Sequence, residues 1–320
     1  MRIVILDDDS LRMSEQSPWT ALDGLGQWTA YGATPPESVA ERASDADVLV
    51  INKVLLDAEI LGRLPRLKCI AVTAAGTNVV DGAAARARGI PVCNTPAYGT
   101  DAVAQHAFAL LLELCRRTAL HDKSIRDGEW TRRGTFCYWL TPQVELTGKT
   151  LGVFGYGNLG RRVAELGHAF GMKVVACSHH PQPMPDFAPF AFVDKEELFS
   201  VADVISLHCP LTSETKGLVS ARTLGMMKPG GIIINTCRGP VCSSADVAEA
   251  LRSGHLAAFG ADVLEQEPPA ADDPLLSAPN TLLTPHLAWA TNGARQNIID
   301  ITVENIRCFA AGNPQNVVNV

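Results

Sequence analysis

Two alternations of apolar and mixed stretches run along the chain. In the first, short apolar runs at 2–6, 47–51, 67–73 and 91–93 read as strands, separated by helix-period stretches at 36–44, 57–63 and 80–88. Strands alternating with helices predict parallel βα units, in which helices cover the sheet. A longer 3.6-residue period then runs from 101 to about 125, with Ala104, Phe108, Leu111, Leu112 and Cys115 as its buried stripe. The second alternation starts at Thr150. Its strands are predicted at 150–154, 173–177, 202–208, 231–236, 257–263 and 281–283, with helix patterns between most of them. A last helix is predicted at 294–310, followed by a tail at 312–320.

The strand predicted at 150–154 runs straight into Gly155-Tyr156-Gly157-Asn158-Leu159-Gly160, and a helix pattern with Val163, Leu166 and Phe170 on one face follows. Strand, G-x-G-x-x-G, helix is the context in which this motif binds a dinucleotide. Gly155 makes the tight turn, Gly157 lets backbone amides approach a pyrophosphate, and Gly160 lets helix and strand pack closely. The amides of Asn158 and Leu159 open the helix, whose N-terminal partial charge suits phosphate. Six strands after Thr150 match a full sheet of this kind. The fingerprint sits halfway along the chain, so the simplest topology is an insertion. The pattern predicts an α/β fold of two doubly wound parallel-sheet domains. A Rossmann cofactor domain, 100–290, interrupts a flavodoxin-like substrate domain made of 1–99 and 291–320.

Composition narrows the partners. The 320 residues are 47% hydrophobic, enough for two cores, and the net charge of −7 argues against nucleic acid, which needs a basic face. The acidic run Asp7-Asp8-Asp9 after the first strand reads as its loop, with no signal-peptide layout. No apolar run is long enough to span a bilayer, so no membrane partner is expected. The nine cysteines are odd in number and form no C-x-x-C, which reads as reduced thiols in a cytoplasmic protein and as no zinc site. The stretch 130–148 is irregular and aromatic, with Trp130, Phe136, Tyr138 and Trp139, a composition that marks a subunit contact and predicts a homodimer.

A dinucleotide site implies hydride transfer, for which the protein supplies binding, orientation and a proton route. Three residues follow predicted strands: Arg238, Glu267 and His286. Carboxyl ends of strands are where open α/β sheets bind ligands. A guanidinium suits a planar carboxylate or keto group, and an imidazole suits proton transfer. The other histidines, among them His106, His121, His168 and His255, read as helix or surface residues.

Taken together, GYGNLG at 155–160, LHCPLT at 207–212, MKPG at 227–230, NTCRGP at 235–240, DVLEQEP at 262–268 and TPHLAWAT at 284–291 resemble the D-2-hydroxyacid dehydrogenase family. FCYW at 136–139, EPP at 267–269, HLAWAT at 286–291 and NPQNVV at 313–318 are most similar to its glycerate dehydrogenases, also called hydroxypyruvate reductases. The resemblance implies His286 as acid/base, and Glu267 as the carboxylate that orients it and favours its charged form. It implies Arg238 as the group that binds and polarises substrate, and the amides of Ala75 and Gly76 as the cradle of the substrate carboxylate. Asp262 matches a residue near the nicotinamide amide, and Cys209, Pro210, Thr236 and Cys237 match cofactor contacts. The implied activity is reduction of small 2-keto acids, hydroxypyruvate or glyoxylate to D-glycerate or glycolate. No metal is implied.

One departure bears on the cofactor. A carboxylate usually ends the second strand of the cofactor domain, where it accepts from the ribose 2′-hydroxyl and repels a 2′-phosphate. Here the position reads Ser178-His179-His180, which favours NADP(H) over NAD(H) while leaving both open. Ala75 and Thr77 also depart from the family pattern and leave substrate size open. Two further readings stand: the same chemistry on another 2-keto acid such as pyruvate, and a non-catalytic dinucleotide-sensing interaction protein. Gly148-Lys149-Thr150 is no phosphate loop, since position 143 is Gln and the triplet precedes a strand.

Overall fold

The computed structural model describes residues 1–13 and 17–319, so the last residue of the predicted tail lies outside the described residues. The chain divides into two units, Met1–Gly99 with Ala290–Val320, and Thr100–Trp289.

The first unit is built on five parallel strands: β1 (Arg2–Ile5), β2 (Gln27–Ala30), β3 (Val48–Ile51), β4 (Cys69–Val72) and β5 (Val92–Cys93). Their order is β2-β1-β3-β4-β5, the flavodoxin-like sequence of a doubly wound sheet. β3 and β4 are buried at every position, which explains their unbroken apolar runs. β2 was not predicted. It is a half-exposed edge strand reading Gln-Trp-Thr-Ala, with no apolar run to betray it. The helices are short: α1 (Val39–Arg42), α2 (Ala58–Gly62) and α3 (Gly82–Ala87). The helix predicted at 36–44 is a 3-10 turn, Pro36–Ser38, leading into the single turn of α1. Side-chain caps start the other two: Asp57 accepts from the Ile60 amide and Asp81 from the Ala84 amide. The acidic run is no free loop. The Asp7 carboxylate accepts from the amides of Asn52, Lys53 and Val54 at 2.7, 2.5 and 3.1 Å, tying the end of β1 to the end of β3.

The second unit opens with α4 (Thr100–Arg116), which buries Ala104, Ala107, Phe108, Leu110, Leu111, Leu114 and Cys115. The predicted helix to about 125 is broken at Arg117, a left-handed residue with φ 50°, and α5 (Thr118–Arg126) then runs with no buried residue. α6 (Glu129–Arg133) occupies part of the stretch predicted as irregular. After it come β6 (Thr150–Phe154), α7 (Asn158–Ala169), β7 (Lys173–Cys177), β8 (Phe190–Phe192), α8 (Lys195–Val201) and β9 (Val204–Leu207). Next are α9 (Ala221–Leu224), β10 (Gly231–Asn235), α10 (Ser244–Arg252), β11 (Leu256–Ala261), α11 (Pro274–Ser277) and β12 (Thr281–Leu283). The sheet is parallel throughout and ordered β12-β11-β10-β9-β6-β7-β8. That is the Rossmann order with one strand more than the six predicted. The extra strand, β8, is a partly exposed edge of three residues, too short to show a period.

Each face of this sheet carries its own core. Val204, Ile232 and Ile234 pack with Phe108, Leu111 and Val163 on the side of α4 and α7. Ile205, Leu207 and Ile233, one residue out of phase, pack with Phe199, Val247 and Leu251 on the other. Period-two alternation between two covered faces makes every position apolar. The chain re-enters the first unit with α12 (Asn292–Ala310), capped by Thr291 and buried along Ile298, Ile299, Val303 and Ile306. The tail then returns to β5: the amide of Asn94 donates to the carbonyl of Asn316, and Val318 to Val92, at 3.0 and 2.9 Å. Among the described residues no helix is long and apolar enough to cross a membrane.

Candidate active site

Gly155 leaves β6 at φ 96°, where a Cβ would press to 2.6 Å from the His208 carbonyl oxygen. A Cβ on Gly160 would overlap the Gly155 carbonyl oxygen. Both positions therefore demand glycine for the fold itself. Gly157 differs: a Cβ there would meet no heavy atom within 4 Å. Gly157 is also the N-cap of α7 and gives it no side-chain cap, which leaves the amides of the first turn without that partner. Further along the carboxyl edge, the Thr236 hydroxyl after β10 and Nδ1 of His208 after β9 are buried without a hydrogen-bond partner among the described residues. An anion cradle beside unpaired polar atoms fits a dinucleotide.

The remaining predicted cofactor residues lie on the same edge. β7 ends at Cys177; the Ser178 hydroxyl donates to the His180 carbonyl at 2.9 Å, and exposed His179 sets its ring against that of His180. Cys209 and Cys237 are buried side by side, with Pro210 exposed beyond the first. Their shared hydrogen bond, and burial, push the Cys237 thiol up. Burial does the same to Cys242.

Arg238, Asp262 and His286 follow β10, β11 and β12, three neighbouring strands. Arg238 is exposed, donates through Nη1 to its neighbour's carbonyl at 2.7 Å, and makes no ion pair among the described residues. Glu267 Oε2 lies 2.6 Å from His286 Nδ1, while its Oε1 accepts from the Leu264 amide at 3.2 Å. Imidazole and carboxylate are about one-third exposed, so the pair is open to a ligand without being fully solvated.

His286 has φ 52°, a left-handed conformation costing an ordinary residue on the order of 1–3 kcal/mol. Asp262 holds it there. The His286 amide donates to the Asp262 carbonyl at 2.9 Å, and the Asp262 carboxylate, 2% exposed, accepts from the amides of Leu287 and Ala288 at 2.9 and 2.8 Å. The Thr284 hydroxyl completes the set at 2.6 Å, and the Trp289 indole donates to the His286 carbonyl at 2.9 Å. His106, read from the sequence as a helix or surface residue, is 17% exposed and places Nε2 2.9 Å from the Thr284 hydroxyl. His106, Thr284 and Trp289 were not singled out by the sequence. Only Thr284 and Trp289, close in the chain to His286, left any local signal.

The loop after β4 belongs to the first unit. Its carbonyls at Ala74 and Ala75 are held by the Thr95 amide and the Asn94 side chain at 3.0 and 2.8 Å. The amides of Ala75 and Gly76 have no hydrogen-bond partner among the described residues. Among the described residues no group of three or more His, Cys, Asp or Glu could hold a metal ion.

Residues 108–288 match the family model for the NAD binding domain of D-isomer specific 2-hydroxyacid dehydrogenases. The chain belongs to this family. It is 40% identical to a hydroxypyruvate reductase of Blautia hydrogenotrophica over all of both chains. A glycerate dehydrogenase of Methylorubrum extorquens is also 40% identical, over 99% of this chain and 98% of the relative. An acyclic imino acid reductase solved with NADPH and D-Arg shares the fold with a TM-score of 0.84 and 28% identity, over 99% of this chain and all of that one. The dehydrogenase is thus an oxidoreductase with a nicotinamide dinucleotide cofactor, and the open cradle at Gly157 lies inside its matched domain.

Proposed function

We propose that the protein reduces small 2-keto acids to D-2-hydroxy acids, hydroxypyruvate and glyoxylate first, with Arg238, Glu267 and His286 as the working residues and 100–290 as the cofactor domain. The observation that carries this reading is the 2.6 Å contact between Glu267 and His286, built on a histidine held left-handed. The nicotinamide dinucleotide, when bound, supplies the hydride to the keto carbon. With Nδ1 committed to Glu267, His286 offers Nε2 to the substrate and gives its proton to the forming alkoxide. Arg238 polarises the keto oxygen and binds the carboxylate. In the oxidative direction neutral His286 takes the proton back. The product hand, D, follows from the family.

We assign the dinucleotide to Gly155, Gly157, Asn158, Leu159, Gly160, Ser178, His179, Cys209, Pro210, Thr236, Cys237 and Asp262. NADP(H) is preferred over NAD(H), because nothing anionic stands at Ser178-His179-His180 to repel a 2′-phosphate. Nine free cysteines suit a reducing, cytoplasmic setting.

The test is paired turnover of hydroxypyruvate with NADPH and with NADH. Fast turnover with NADPH and slow turnover with NADH is expected. A preference for NADH overturns the assignment at Ser178. His286→Ala is expected to lower kcat by at least about 100-fold while leaving dinucleotide affinity intact. Retained turnover in that variant removes His286 from its role.

A further inference from the structure

We propose that His106, on α4, is a positioning residue for His286, acting through the Thr284 hydroxyl and the Asp262 carboxylate. The inference rests on the acid/base role given to His286 above. The proton inventory of the three groups sets its direction. Thr284 has a single hydroxyl proton, and at 2.6 Å from Asp262 Oδ1 that proton goes to the carboxylate, which can only accept. Towards His106 the same oxygen can then only accept. Nε2 of His106, 2.9 Å away, is therefore the donor and carries hydrogen. The result is an ordered chain, His106 to Thr284 to Asp262, in which each bond polarises the next.

The far end of that chain holds the catalytic loop. Asp262 Oδ1 accepts from Thr284 and from the Leu287 amide, and Oδ2 from the Ala288 amide. These amides follow His286 directly and keep its strained φ of 52° in place. Nε2 of His106 is also 3.6 Å from Asp262 Oδ1, so it faces the carboxylate even where it does not bond it. Without the Nε2 donor the Thr284 hydroxyl loses the bond that polarises and orients it, its bond to Asp262 weakens, and the ring of His286 departs from the angle its proton transfer needs. A shift of well under an ångström at the donor suffices to lower the rate.

The experiment uses the whole protein and four variants: His106→Phe, His106→Gln, Thr284→Val and the double variant His106→Phe/Thr284→Val. Phenylalanine keeps the ring and removes the donor; glutamine returns an N–H donor at a similar reach. His106→Phe and Thr284→Val are each expected to lower kcat about 10-fold, the double variant no further, and His106→Gln to recover to within about threefold of wild type. Dinucleotide affinity is expected to stay unchanged in all four. The His286 ring resonance in the cofactor-free protein is expected to move in His106→Phe and to return in His106→Gln. Additive losses, unchanged kcat in both single variants, or a kcat loss matched by lost dinucleotide affinity would overturn the proposal. If the unsubstituted protein reduces no 2-keto acid, the functional reading fails by itself, and the His286 resonance then decides the linkage alone.

Discussion

A Cβ on Gly157 would meet nothing, whereas one on Gly160 would overlap a carbonyl oxygen, so two glycines of one motif are held by different forces. Gly157→Ala is expected to change unfolding free energy by less than about 1 kcal/mol yet weaken dinucleotide binding at least about 10-fold; Gly160→Ala is expected to destabilise the protein by about 2 kcal/mol or more. Urea unfolding and a binding titration on both variants separate the two effects. His208 behaves differently again. Its residue surface is only half-buried, but among the described residues Nδ1 is sealed without a partner, Nε2 bonds Ser206 at 2.8 Å, and burial pushes the imidazole down to about 3. Because the folded state resists protonation, its contribution to stability is complete above the unfolded value near 6.5 and is lost as pH falls from there towards 3. At pH 5 the loss amounts to about 2 kcal/mol. His208→Gln should remove that part of the acid sensitivity, read as the difference between unfolding curves at pH 7 and pH 5.

The elements that could be read from sequence are those buried on two sides. β3, β4, β9 and β10 bury every position, so their apolar runs are unbroken and the two alternations stand out. β2 and β8 escaped because edge strands are half wet and lack that signature. The break at Arg117 escaped because arginine gives no warning of a left-handed residue, as a glycine would have. In the site, the motifs singled out Glu267 and His286, and Gly155, Gly157 and Gly160 explained themselves. His106 did not, since its partner Thr284 lies 178 residues away and no periodicity reports such a meeting. Short helices make caps count: α3 has six residues and starts on Asp81, whose carboxylate accepts from the Ala84 amide at 2.9 Å. Asp81→Ala should cost about 1 kcal/mol of unfolding free energy, measured in urea.

For the whole molecule, the second unit carries Phe136 at 94% exposure and Trp139 at 68%, close to exposed Trp130 and Leu140. Water penalises such a cluster, and a second copy of this chain would cover it. The homodimer is therefore proposed to form here. Light scattering should give twice the chain mass, and Phe136→Ser/Trp139→Ser should give the chain mass alone. An unchanged mass in that variant would move the contact elsewhere. The order of the two units along the chain has a consequence for synthesis. β5 is completed by Asn316, Val318 and Asn319, whose side chain accepts from the Val92 amide at 2.8 Å. On the ribosome, the whole of the second unit emerges before these residues do. The nascent first unit therefore waits with an open strand edge until the tail arrives, and through that interval the edge is free to pair with another chain.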